Sequence, residues 1–237
     1  MTGRLDIFPI RSIPEVRPGD DLAGQIAEAV GREEPLLDGD VVVVTQKVVS
    51  KAENRLVAID PTDPLSHKPL VEAESVRVLR RRGELIISET KHGFVCANAG
   101  IDLSNVDSGW AALLPEDSDR SARRLRDGLR ARLGVEVAVI ISDTFGRPWR
   151  RGLTDVAIGS AGIRPILDLR GAEDANGRVM QVTEVCLVDE LAAAAELVMG
   201  KAERVAAAVV RGVDPAWLGE GSVQTELVRS PAEDLFR

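Results

Sequence analysis

Apolar positions along this chain fall into short β-branched runs, separated by polar turns and by longer stretches with helical spacing. Residues 5–10 read as a first strand, stopped by Pro9 and Pro14. Asp20 or Asp21 can cap a helix that runs through Val30. Asp38, Gly39 and Asp40 form a turn ahead of a strand at 41–44, which ends in Thr45, Gln46 and Lys47. A short amphipathic piece with Ser50 and Lys51 follows. Residues 60–69 are rich in proline and aspartate and read as a loop, 68–82 as a helix stopped by Gly83, and 85–88 with 93–97 as a strand pair.

The second half continues in the same mixture. Residues 115–133 have helical spacing, an aspartate near their start and Gly134 where helices favour glycine. The run 137–141 is apolar and β-branched and reads as a buried strand ending at Ser142, Asp143 and Thr144. Gly146 and Pro148 then break regular structure. Residues 156–166 are small and glycine-rich, 179–188 alternate as a strand, 190–199 form an alanine-rich helix ahead of Gly200, and 206–210 form a short strand before an irregular tail. Helices and strands do not alternate strictly, so the expectation is an α+β (mixed α/β) fold with mixed sheets. It is read as a single unit over residues 1–237, with room for two lobes, the second about 115–190.

Composition narrows the function. Lysine and arginine total 30 against 38 acidic residues, a net charge of -8, which argues against a general nucleic-acid binder. The start of the chain lacks the apolar core of a signal peptide, and no apolar run is long enough to span a membrane. A cytoplasmic protein with reduced thiols at Cys96 and Cys186 is expected. Two histidines and no CxxC spacing disfavour a zinc site. No GxxxxGK[ST] loop and no GxGxxG after a strand occurs.

Five places can carry chemistry. Asp143 and Thr144 close an apolar strand, where a sheet gives way to a cleft. Asp102, with Ser104 and Asn105 close by, follows Gly100 in a polar segment. If both strand ends meet, the two aspartates can share a hard cation such as Mg²⁺ or Mn²⁺. Each aspartate reads equally as a turn or cap residue; for Asp102 alone that reading leads. Gln46, Lys47 and Lys51 leave a strand together, either toward a phosphate or on a solvated helix face. The stretch GRPWRRG, residues 146–152, can clamp an anion with its arginines, and Trp149 can stack on a flat ring or simply pack. Glu184, inside a strand candidate, needs a cation, an arginine or another partner, and is a further metal candidate. Asp189 and Glu190 suit a helix N-terminus.

Four long segments resemble the coenzyme F420-0:L-glutamate ligases (F420 γ-glutamyl ligases): DGDVVVVTQKVVSKAENR, AGIDLSN, VAVIISDTFGRPWRRGLTDVAIGSAG and VTEVCLVDELAAAAELVMGK, in order from about Ile7 to Gly212. The resemblance implies the family's own ligase fold, an intertwined homodimer with its site in a groove, and no nitroreductase-like domain after the ligase. It implies a GTP-dependent enzyme that joins L-glutamate to F420-0, and then further γ-linked glutamates, with two divalent ions and stimulation by K⁺. By the same resemblance Asp102 and Asp143 hold one metal and Thr144 the second. Ile13, Pro14, Glu15, Val16, Gln46, Lys51 and Asn105 contact the guanine nucleotide, as does the stretch Met199, Gly200, Lys201 and Ala202. Lys201 departs from relatives that carry a metal-contacting glutamine there, because a protonated lysine cannot ligate. The rivals are a metal-dependent nucleotide phosphohydrolase, an amide ligase of the same scaffold for another carboxylate, and a non-catalytic nucleotide-binding module.

Overall fold

A computed structural model of the protein describes residues 3–230 and 232–235. In chain order the elements are β1 (Asp6–Ile10), α1 (Leu22–Arg32), β2 (Val41–Thr45), α2 (Gln46–Ala52), β3 (Leu56–Ala58), α3 (Lys68–Glu74), β4 (Ser75–Arg82), β5 (Leu85–Thr90) and β6 (Val95–Ala97). Then come β7 (Trp110–Ala112), α4 (Ser118–Leu133), β8 (Ala138–Gly146), β9 (Leu153–Ala161), β10 (Ile166–Asp168), β11 (Glu184–Cys186), α5 (Leu187–Met199), β12 (Ala207–Arg211) and α6 (Val223–Glu226). The α+β expectation holds.

A five-stranded mixed sheet in the order β1-β12-β2-β8-β9 forms the centre. Only β2 and β8 run parallel; the other pairs are antiparallel. Both central strands are apolar at every early position because both faces are covered. Val42, Val44, Val139 and Ile141 pack toward α1 and α4. Val41, Val43, Ala138 and Ile140 pack the opposite way, against Leu191, Ala192 and Ala195 of α5. The period-2 alternation of a strand thus feeds two cores at once.

The helix ends follow their sequence signals. Asp21 accepts a hydrogen bond from the Gly24 amide at the start of α1. Asp117 does the same for the Arg120 amide at the start of α4, and Gly134 closes that helix in the left-handed region at φ 70°. Asp119, 3% exposed, turns inward from the first turn of α4. It accepts from the amides of Ser160, Val223 and Gln224 and from the Ser222 hydroxyl, and so fastens the chain's last helix to β9.

Several elements correct the sequence reading. Residues 68–82 are not one helix. The helix ends at Glu74, and 75–82 form β4, whose backbone groups pair with β5 across two register shifts. Val76 and Val78 suit a strand, and the Ser75 hydroxyl donates to that of Ser88 across the pair. Of residues 179–188 only Glu184–Cys186 are strand; Leu187 and Val188 already belong to α5, where both are buried. The strand read as ending at Ile141 continues through Asp143 and Thr144 to Gly146, past a register shift between Ile141 and Ser142. The glycine-rich run after it contributes a full strand, β9.

Residues 118–161 supply α4, β8 and β9 to the main sheet and its cover. A smaller core gathers earlier in the chain, around Val71, Ile86, Ala99, Ile101, Ala111 and Leu113. Among the described residues no helix is long and apolar enough to cross a membrane.

Gly159 permits the close approach of β9 to α4. A Cβ there would lie 2.3 Å from the Ser118 carbonyl carbon and 2.4 Å from its oxygen, both backbone atoms that cannot step aside. Gly159→Ala is therefore expected to cost about 1–3 kcal/mol. Gly31→Ala, in α1 with nothing within 4 Å of the new methyl, should be neutral or stabilising by up to about 1 kcal/mol. Thermal melts of the two variants check the contrast; equal melting temperatures would show that the α4–β9 contact relaxes freely.

Candidate active site at the ends of two parallel strands

The parallel pair β2–β8 has its last register pair at Thr45 and Ser142. Beyond it the two strands part. The chain after Thr45 turns into α2, while β8 runs on beside β9. Ends of adjacent parallel strands are where such sheets place their ligands. Here Lys47, on the first turn of α2, comes to lie beside the polar half of β8.

Successive residues of β8 serve opposite faces. Asp143 faces the side of the first core, as Phe145 does. The Asp102 carboxylate reaches the same place, and its Oδ2 lies 2.8 Å from the Lys47 ammonium. Burial alone would raise the Asp102 carboxyl, but Lys47 and the Ser104 amide, 2.7 Å from Oδ1, hold it below the ordinary range. Asp102 is fixed by its backbone as well, bridging to Ala112 through two hydrogen bonds of 3.0 and 2.9 Å. It therefore serves the turn and the site together.

Asp143 is the opposite case. Burial pushes its carboxyl up to about 7, and the negative charges of Asp102 and Asp155 add to that; the Thr144 amide and Lys47 oppose it. Asp102 and its partner Lys47 both act on the Asp143 carboxyl, so the two distant aspartates share one neighbourhood. Cys96 adjoins them: burial first, and then the charge of Asp143, push its thiol up to about 12. Cys186 is also pushed up to about 12, by burial and by Asp189. Both cysteines are free, and both stay protonated thiols at neutral pH.

The other face of β8 holds a second polar group. Asp155, opposite Thr144 on β9 and 4% exposed, accepts from the hydroxyls of Ser142 at 2.9 Å and Thr144 at 2.6 Å. Lys201, just past the end of α5, places its ammonium 2.8 Å from Asp155 and 3.2 Å from Glu196, and donates to the Thr144 hydroxyl. Burial works against that charge, but Asp155 and Glu196 outweigh it and hold the Lys201 ammonium above its ordinary range. In this chain the Thr144 face therefore carries a tethered cation.

Other expected site residues separate into three groups. Lys51 pairs with Glu15, which ties residues 13–16 to α2; Ile13 and Val16 pack into the first core. Lys47 and Lys51, four apart on one helix, thus have different carboxylate partners. Gln46 is fully buried, its Oε1 accepting from the Ser50 hydroxyl at 2.8 Å, while its Nε2 has no partner among the described residues. Asn105 is exposed in the loop after Asp102, with φ 56°. Met199 is buried at the end of α5, Gly200 caps that helix, and Ala202 is exposed beside Lys201. Glu184 lies on the separate β10–β11 ribbon, paired with Arg170 at 3.2 Å. An arginine meets its need for a partner. Asp189 donates nothing to this locus either; its carboxylate accepts from the Ala157 amide at 2.8 Å.

Asp155 and Glu196 were missed in the sequence. The available signal was a lone acid in the run LTDVAIGSA, where alternation places Asp155 on the same side as Ala157. Two shallow concavities, one along Pro9, Ile10 and Val30 and one along Arg126, Val137 and Leu218, do not touch this cluster.

The oxygens of Asp102, Asp143 and Thr144 are hard donors of the kind Mg²⁺ and Mn²⁺ prefer. The raised proton affinity of Asp143 reflects burial first and neighbouring negative charge second, and a divalent cation bound there would favour the ionised form. Among the described residues no three His, Cys, Asp or Glu side chains form a ready-made metal set. Two carboxylates suffice where substrate phosphates complete the shell, as is common for Mg²⁺. Asp102 and Asp143 fit such an ion, while the Thr144 hydroxyl, on the other face of β8, is engaged with Asp155 and Lys201.

Residues 10–212 match the sequence profile of the F420-0:Gamma-glutamyl ligase family. The coenzyme F420:L-glutamate ligase of Methanothermobacter thermautotrophicus is 43% identical over 98% of this chain and 99% of its own length. The protein of that name from Methanopyrus kandleri is 44% identical over 98% of each chain, and that from Archaeoglobus fulgidus is 40% identical over 99% and 97%. Matches of this extent show that the chain belongs to the F420-0:gamma-glutamyl ligase family.

Proposed function

We propose that this protein is the ligase that joins L-glutamate to coenzyme F420-0, and then adds further γ-linked glutamates, using GTP and an acyl-phosphate intermediate in coenzyme F420 biosynthesis. The observation that carries the reading is the Asp102–Lys47 ion pair in the neighbourhood of buried Asp143, beyond the point where the two parallel strands part. Membership of the family supplies the substrates. Resemblance to that family also supports a cytoplasmic homodimer stimulated by K⁺.

A carboxylate is a poor acyl donor, so amide formation needs a better leaving group. In the proposed route an oxygen of the F420-0 carboxylate attacks the γ-phosphorus, and the bond to the departing GDP breaks. The glutamate amine then attacks the acyl carbon, a C–N bond forms, phosphate leaves with the C–O electrons, and the amine gives up its proton. Such a reaction asks the protein mainly for alignment and charge neutralisation. Asp102, Asp143 and Thr144 would hold the divalent ions, which supply neutralisation of the phosphate charge. Lys47 keeps Asp102 ionised and in place. Lys51 and Lys201 can each exchange a carboxylate partner for a phosphate oxygen. Ser142 and Thr144 orient Asp155, and Asp155 in turn aims Lys201 at the strand end.

Mass spectrometry after incubation with F420-0, glutamate, GTP and Mn²⁺ tests the reading. A product heavier by one or more glutamyl units supports it. Steady GTP hydrolysis that ignores F420-0 and glutamate would identify a phosphohydrolase instead.

The variant Asp143→Asn is expected to lower turnover by about a hundredfold or more, since several kcal/mol of charge stabilisation are at stake. It should do so without loss of stability. The Asp143 carboxyl titrates near 7 in the fold and near 3.8 in the open chain. A raised folded value contributes stability that is fully present below about pH 4 and is lost as pH rises toward and through 7. In EDTA, therefore, the melting temperature of Asp143→Asn relative to the parent should climb between pH 4 and 7. A variant that melts well below the parent at pH 8 would assign Asp143 a structural role.

A further inference from the structure

The β8–β9 hairpin carries acids on its stem and a basic, aromatic tip that no step above uses. Residues 147–152, Arg-Pro-Trp-Arg-Arg-Gly, join the strands just beyond the Gly146–Leu153 pair, and all six are exposed. Trp149 is 84% exposed and Leu153 68%. The Trp149 backbone sits at φ 59°, a left-handed conformation that is an outlier for so bulky a residue. Arg147 secures the turn from within, donating to the Arg151 carbonyl at 3.0 Å. Arg150 and Arg151 have no ion-pair partner among the described residues. In a chain of net charge -8 this is a local excess of uncommitted positive charge.

Outliers held in place by their surroundings concentrate where function needs a side chain in one pose. Here the pose leaves most of the Trp149 surface exposed, with arginines next to it in sequence. An exposed indole offers a stacking face, and guanidiniums bind phosphoesters through paired donors. The tip lies six residues from Asp143, so at ~3.3 Å per residue the separation is at most about 20 Å. One extended molecule can therefore rest a flat ring on the tip and present a carboxylate to the Asp102–Asp143 locus.

We infer that the β8–β9 hairpin is the acceptor subsite, with Trp149 stacking on the acceptor's flat heteroaromatic ring and Arg150 and Arg151 holding its anionic phosphoester spacer. The inference rests on the proposed ligase reading and adds where the far end of the acceptor is recognised. Trp149 sets acceptor affinity and takes no part in the chemistry.

Calorimetric titration of the full chain with F420-0, and separately with GTP and Mg²⁺, tests it. Trp149→Ala should weaken F420-0 binding by about tenfold or more, leave GTP affinity and the melting temperature unchanged, and be rescued to within about threefold by Trp149→Phe. The double variant Arg150→Ala with Arg151→Ala should weaken F420-0 binding to a similar degree and reduce its salt dependence. Unchanged F420-0 affinity in a folded Trp149→Ala protein overturns the subsite. So does a Phe variant as weak as the Ala variant, or a loss confined to GTP, which would give Trp149 to the purine. Because binding is the readout, these outcomes leave the ligase reading standing; that reading fails separately, if the parent makes no glutamylated product.

Discussion

Burial of the Asp143 carboxyl, reinforced by the negative charges beside it, governs this site. Asp143 and Asp155, on the two strands of one hairpin, and Asp102, from a distant loop, gather around one stretch of β8. Three carboxylates cannot all ionise in a partly buried place unless positive charge accompanies them. Two lysines supply part of it, Lys47 on Asp102 and Lys201 on Asp155. Asp143 is left with the deficit, and its carboxyl holds a proton until about pH 7. A divalent ion and a polyphosphate together would complete the balance, the ion answering the aspartates and the phosphates answering the lysines.

The sheet delivers this arrangement by an unequal ending of two neighbours. β2 stops at Thr45 and folds into α2, which swings Lys47 across the strand end. β8 continues past a register shift into a polar second half, paired with β9. Its apolar half anchors it between two cores, so the polar half is held rigidly where its partner strand has turned away. Asp143 and Thr144, adjacent in sequence, then serve two faces of one strand. The first meets Asp102 and Lys47. The second meets Asp155 and, through Lys201, the end of α5.

Much of this was legible in the chain itself. The run of valines before Thr45, the capping aspartates of α1 and α4, and Gly134 gave their elements directly, because each signal is local. Asp102 and Asp143 were also within reach, since both sit just after strand candidates. Other features depend on pairing, which local pattern does not encode. Residues 75–82 carry four arginines and two valines that fit a helix face or a strand, and only β5 decides between them. Asp155 looked like one acid in a small-residue run, and nothing near it announces Thr144 or Lys201 as partners. Glu184 looked buried by its neighbours, yet it pairs with Arg170 on a ribbon of its own.

The central claim is that Asp102 and Asp143 act on one shared cation. A double-mutant cycle on Mn²⁺ affinity, measured by titration in the presence of GTP, tests it most directly. Asp102→Asn and Asp143→Asn should each weaken Mn²⁺ binding by about tenfold or more, and the double variant should lose much less than the sum of the two, as coupled ligands of one ion do. Strictly additive losses, or an affinity indifferent to both substitutions, would contradict the account.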